Sequence, residues 1–151
     1  MPDVINGYNH TRQVLLNYGL ENQAGNFYFE LLNNSAVFDA THTALTDVDN
    51  AGAYEVSGNG WSAGGEALTL SALTHDTNAV RLDCEDLSIT ATGGNIGPAY
   101  KAVIYLDVDG GGTTKLPLFY IGFESSETAV PGQPFVVSWS ANGIIEWGPA
   151  A

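Results

Sequence analysis

The chain has 151 residues, 44% of them hydrophobic, and sets 17 acidic residues against four basic ones for a formal net charge of −13. That length fits one domain with a core that needs no staples. Arg12, Arg81, Lys101 and Lys115 are too few and too scattered to form the cationic footprint that nucleic acid or an anionic membrane requires, so both are excluded as partners.

In chain order, residues 1–5 have no positive n-region and no long apolar stretch, so no signal peptide is expected. No run approaches the ~18 apolar residues of a membrane span. Residues 11–18 read as a short helix capped by Asn9 or Thr11 and stopped by Gly19. The consecutive Val14, Leu15 and Leu16 would also suit a strand. Residues 27–32 form an aromatic and aliphatic run between Gly25 and Asn33-Asn34-Ser35, the mark of a strand. Shorter candidates follow at 52–56, 66–73, 80–82 and 87–91. In the second of these, Leu68, Leu70 and Ala72 alternate with Thr69 and Ser71 at the period of a half-buried strand. Residues 100–106 and 118–123 flank Asp107-Val108-Asp109-Gly110-Gly111-Gly112 and read as a hairpin with a flexible tip. Residues 135–140 and 144–147, joined by Ala141-Asn142-Gly143, read as a second hairpin, Asn-Gly being a strong turn signal. About eight strands with at most one short helix predict an all-β, jelly-roll-like β-sandwich. The expected organisation is an N-terminal arm or short helix over 1–25 and one sandwich unit over 26–151.

The residue types that carry chemistry do not assemble into a site. Asp107-Val108-Asp109-Gly110 resembles the start of a calcium loop, but its twelfth position is Leu118 where a bidentate Glu is needed, so a hairpin tip is the better reading. His10, His42 and His75 lack metal spacing, and no serine sits in a nucleophile elbow. Gly58-Asn59-Gly60-Trp61-Ser62-Ala63 lacks the third glycine and the following helix of a dinucleotide loop. Cys84, the lone cysteine, lies among Asp83, Glu85 and Asp86, which disfavour its thiolate and leave it a structural thiol. Those three carboxylates read as a solvated edge. A glycosidase would need two carboxylates converging in a cleft, and no spacing identifies such a pair. Trp61, Trp139 and Trp147 suit a core or an interface, and would line a sugar-binding face only if exposed. No catalytic residue, metal site or cofactor is expected.

Several segments recur in a characteristic order. Asn9-His10-Thr11 leads into Val14-Leu15-Leu16. Phe38-Asp39, His42-Thr43, Leu45 and Asp47-Val48 follow. Then come Glu55-Val56, Gly58, Gly60-Trp61 and Gly64-Gly65, and the acidic Asp83-Cys84-Glu85-Asp86. The last are Ala102-Val103-Ile104-Tyr105, Ile121-Gly122-Phe123, and Pro131-Gly132 with Phe135, Val137, Trp139 and Gly143-Ile144-Ile145. This order, spread over residues 9–147, resembles a family of small virion structural proteins of tailed bacteriophages. The resemblance implies no enzymatic residues. It implies a head decoration or cement protein on the capsid exterior, with the major capsid protein and further copies of itself as partners. Icosahedral lattices present local threefold positions, so a trimer is the expected homo-oligomer, with Trp61 as an interface anchor. A tail, baseplate or head-fibre component with a host-carbohydrate-binding face is the alternative.

Overall fold

The computed structural model describes residues 4–18, 26–76, 79–140 and 143–147. It is all-β, 48% strand against 10% helix. The strands are β1 (Val4–Gly7), β2 (Phe27–Leu32), β3 (Glu55–Val56), β4 (Glu66–Leu68), β5 (Leu70–Asp76), β6 (Ala79–Cys84), β7 (Leu87–Thr90), β8 (Ile96–Asp107), β9 (Lys115–Ala129), β10 (Pro134–Val137) and β11 (Ile145–Trp147). Two helices, α1 (Thr11–Tyr18) and α2 (Leu45–Val48), are found among the described residues.

The main sheet runs β1-β9-β8-β2-β3, with β4 also paired to β2. A two-stranded sheet joins β7 to β10, and a three-stranded sheet has the order β11-β6-β5. Every pairing is antiparallel. Along β2 successive side chains face opposite ways, as the strand period demands. Phe27, Phe29 and Leu31 join Ala102, Ile104 and Leu106 of β8 in the larger core, which the small sheets cover with Leu82, Phe135 and Val137. Leu32, Val103, Tyr105 and Tyr120 face the other way. They pack under Tyr8, Ala36 and α2's Leu45 and Val48 in a second, smaller core. The architecture is therefore sandwich-like, with the main sheet covered on both faces.

The helix expected over 11–18 is α1, and the strand expected over 27–32 is β2. Gly19, the expected helix stop, lies outside the described residues. The first hairpin is present, β8 pairing β9 over a tip at 108–114, with both strands longer than the apolar runs that announced them. The second hairpin is not. β10 pairs β7 and β11 pairs β6, so the two strands enter different sheets, and only Ser140 and Gly143 bridge locally. Asn-Gly specifies a tight reversal, not the partner of the strands on either side. Residues 141–142 of that turn lie outside the described residues. The run at 66–73 divides at Thr69 because β4 pairs β2 while β5 pairs β6; the chain changes sheets there, and the Thr69 carbonyl accepts the Glu85 N–H at 2.9 Å. β1 was not anticipated. It forms an edge of the main sheet beside β9, tying the N-terminal arm into the sheet of the main body.

Trp61 is not a surface anchor. It is 2% exposed, its ring edge-on to Phe29 at 6.2 Å and Phe135 at 5.3 Å. The Gly58–Trp61 bridge folds the turn back on itself and carries the indole inward. Trp139 is half-buried against Phe29 and donates its Nε1–H to the Glu85 carbonyl at 3.2 Å. The side chains of His75 and Trp147 lie outside what the structure describes.

Candidate functional site

The cleft begins with an anomaly in β2. Glu30 sits in a strand whose other residues are aromatic or aliphatic, and it is 1% exposed. Its position alternates with Phe29 and Leu31, so its side chain leaves the larger core and points to the second face of the main sheet. A cleft of about 620 Å³ opens over that face, with Glu30, Asp49, Glu55 and Lys115 among its lining.

Each wall has a local cause. Asp47 accepts the N–H groups of Ala44 and Thr43 at 3.1 and 3.3 Å, holding the start of α2. After α2 the chain reverses through Asn50, Ala51 and Gly52, all at positive φ, and the Tyr54 N–H returns to the Asp49 carbonyl at 2.9 Å. That reversal sets Asp49 and Glu55 on the same side. Gly64 forms the adjoining wall. Its N–H donates to Glu55 Oε1 at 2.5 Å and its carbonyl accepts the Tyr105 hydroxyl at 2.6 Å. Tyr105 stacks on Tyr28 at 5.3 Å, and Lys115 Nζ stands 5.2 Å from the Tyr105 ring centre. Lys115 opposes Asp107 in the β8–β9 register, which brings the hairpin tip to the cleft mouth.

The electrostatics are unbalanced. Glu30 Oε1 and Asp49 Oδ1 are buried without a hydrogen-bond partner. Burial, then the charges of Asp49 and Glu55, push the Glu30 carboxyl up to about 8, against a smaller opposing pull from Lys115. Burial also raises Asp49, opposed by the N–H groups of Gly52 and Ala51. A buried carboxyl whose hydrogen bonds do not offset its desolvation favours its neutral form.

This has a measurable sign. Glu30's folded-state value lies above its ordinary 4.5, so between the two values the folded chain holds the proton that the unfolded chain releases. Its contribution is fully present below about pH 4.5 and is lost as pH rises through about 8. Denaturant titrations across that window should show wild type losing stability relative to Glu30→Gln, which has no such proton. Parallel curves would mean that Glu30 is not held protonated.

Most of the other sequence candidates have structural employment. Asp107 Oδ2 accepts the Gly112 N–H at 2.9 Å, and Asp109 Oδ1 accepts those of Gly111 and Thr113 at 3.2 Å, so these carboxylates shape the hairpin tip. Asp86 accepts the Trp139 N–H at 3.1 Å, and Asp83 accepts the Cys84 N–H at 2.9 Å. Cys84 is buried, and its thiol is pushed up to about 12, first by burial and second by Asp83. The sequence pointed to the smaller of those two causes. His10 Nε2 lies 2.6 Å from the Pro117 carbonyl. The His42 backbone N–H donates to the Asp39 carbonyl at 3.1 Å, a local loop bond, while its ring Nδ1 is buried without a hydrogen-bond partner. Among the described residues no group of three or more His, Cys, Asp or Glu side chains is placed to hold a metal ion.

Carboxylates do converge here, as a glycosidase would require. Glu30 and Asp49 line the cleft at 1% and 7% exposure, so reaching a glycosidic oxygen, as a general acid must, would require the cleft to open around them. Glu55, half-buried, is the cleft carboxylate nearest the surface. Sequence reading missed Glu30, Asp49, Glu55 and Lys115 as a group. The one available signal was a carboxylate inside an apolar strand, a residue type rarely buried without a partner. No family model matches the chain, and no curated protein or solved structure matches it either.

Proposed function

We propose that the chain is a non-enzymatic structural protein of a tailed-bacteriophage virion: a decoration or cement protein that docks, as a homo-oligomer, on the outer surface of the head. The observation that carries this reading is the ordered series of segments over residues 9–147. Their places in the fold support it. Gly60 and Gly65 hold positive φ where a β-carbon would meet backbone of another segment, Trp61 plugs the larger core, and Phe135 and Val137 cap it. These are the parts that give a small β body its shape. The net charge of −13 favours the outer face, since the phosphate-filled interior would repel it. A trimer at a local threefold position would engage three capsid subunits at once and gain avidity without strong single contacts. With Trp61 buried, the apolar contacts fall to exposed aliphatic residues such as Leu16, Val37, Val130 and Val136.

Purified protein mixed with heads that lack decoration should bind at saturating, symmetry-related positions visible in a reconstruction of the particle. Failure to bind heads, or labelling of tails alone, would replace this reading with a tail, baseplate or fibre component.

A further inference from the structure

The acidic cleft has the features of a receptor whose ligand is positively charged. Three carboxylates, Glu30, Asp49 and Glu55, face one cation, Lys115. Glu30 and Asp49 are 99% and 93% buried (1% and 7% exposed), and each keeps an oxygen with no donor. A buried acceptor left in this way costs stability unless something completes it.

The lining narrows the class. A calcium ion wants six to eight oxygens in a tight shell, whereas no three ligating side chains among the described residues converge on a point. An organic cation makes different demands. Its alkyl stem needs apolar wall, which Leu45, Ala51, Ala63 and Leu116 supply. Its head needs spaced carboxylates, with one at the surface to meet it and others behind to add field in a medium of low dielectric. Glu55 is the surface carboxylate, tied by one oxygen to Gly64, and Glu30 and Asp49 lie behind it.

We propose that this cleft binds an alkylammonium or alkylguanidinium group, which enters between the turn after α2 and the β8–β9 tip. Glu55 meets the head group and the buried carboxylates beneath hold it by charge. Asp49, Glu55, Lys115 and the Tyr105 hydroxyl are the titratable groups around Glu30. Bringing a cation in favours ionisation of Glu30, so binding releases a proton near neutral pH. The inference does not rest on the virion reading, since the same head group occurs on a partner's lysine or arginine and on a free polyamine.

Calorimetric titration of the full chain with N-acetyl-arginine amide, N-acetyl-lysine amide, butane-1,4-diamine and calcium chloride tests it. At least one organic cation should bind with a Kd of about 1 mM or tighter. The heat should depend on the ionisation enthalpy of the buffer, which reports the released proton. Glu55→Gln, which keeps an oxygen for the Gly64 N–H, and Glu30→Gln should each weaken binding about tenfold, the effect of losing one charge-assisted contact. Tighter binding of a capped residue would assign the site to a partner's side chain, and tighter binding of the diamine to a free polyamine. Calcium binding in place of the organic cations would overturn the proposal. So would affinity unchanged in both variants, or no binding by a wild type whose circular dichroism shows it folded.

Discussion

Trp61→Ala is expected to cost the protein about 3–5 kcal/mol, the range for deleting a large buried aromatic side chain. The indole lies between β2 and β10, edge-on to Phe29 and Phe135, and is 2% exposed. Its removal would leave a void bounded by two different sheets, and neither can collapse inward without breaking its own ladder. Trp61→Phe separates the contributions. It keeps most of the apolar contact and removes an indole N–H that is buried without a partner, so it should cost clearly less than the alanine variant. Denaturant midpoints at constant slope would measure both. An alanine variant within about 1 kcal/mol of wild type would mean that the ring does not join the sheets as described.

Gly65→Ala should be as damaging, although it adds a single methyl group. Gly65 is buried at φ +86, and a β-carbon there would overlap the Phe29 carbonyl and lie 2.9 Å from the Glu30 Cα. Two costs combine: about 1–2 kcal/mol for an L-residue in left-handed geometry, and about 1–3 kcal/mol for pushing backbone out of a packed place. Gly58→Ala is the internal control. Gly58 has φ +97 with nothing within 4 Å of the added carbon, so it should show the conformational cost alone. The difference between the two variants then reads the close approach of β4's leading turn to β2. Equal losses would show that this approach is not tight. The displaced backbone at Gly65 also carries the cleft floor, so Gly65→Ala should disturb the Glu30 titration while Gly58→Ala leaves it in place.

What could be read from the sequence was local. α1 and β2 were legible because their boundaries and their apolar pattern lie within a few adjacent residues. The β8–β9 hairpin was legible because its tip is a dense cluster of Asp and Gly between two apolar runs. The partners of β10 and β11 were not, since pairing to β7 and β6 is decided by packing across the molecule. β1 escaped notice because four residues carry too little pattern, and its partner lies at the far end of the chain. The cleft was the least legible part. Glu30, Asp49, Glu55 and Lys115 come from β2, the turn after α2, β3 and β9, and no spacing relates them. Trp61 was expected as an anchor because large aromatic side chains suit interfaces as well as cores; it is core, the glycines on either side allowing the turn to bend inward.

The pairing of β1 with β9 has a consequence for how the chain reaches its native state. β1 places Val4 opposite Gly122 and Gly7 opposite Phe119, so β1 must wait for a strand that lies far along the chain. The β8–β9 hairpin needs only a short loop to close, and local closure is entropically cheap and fast. On that ground the main sheet is expected to grow outward from that hairpin, leaving the β9 margin an open row of backbone donors and acceptors until β1 returns to it. An open margin accepts any strand of suitable register. At high concentration during refolding, β1 of one copy can fill the margin of another, so dilution should favour monomers that have closed on themselves.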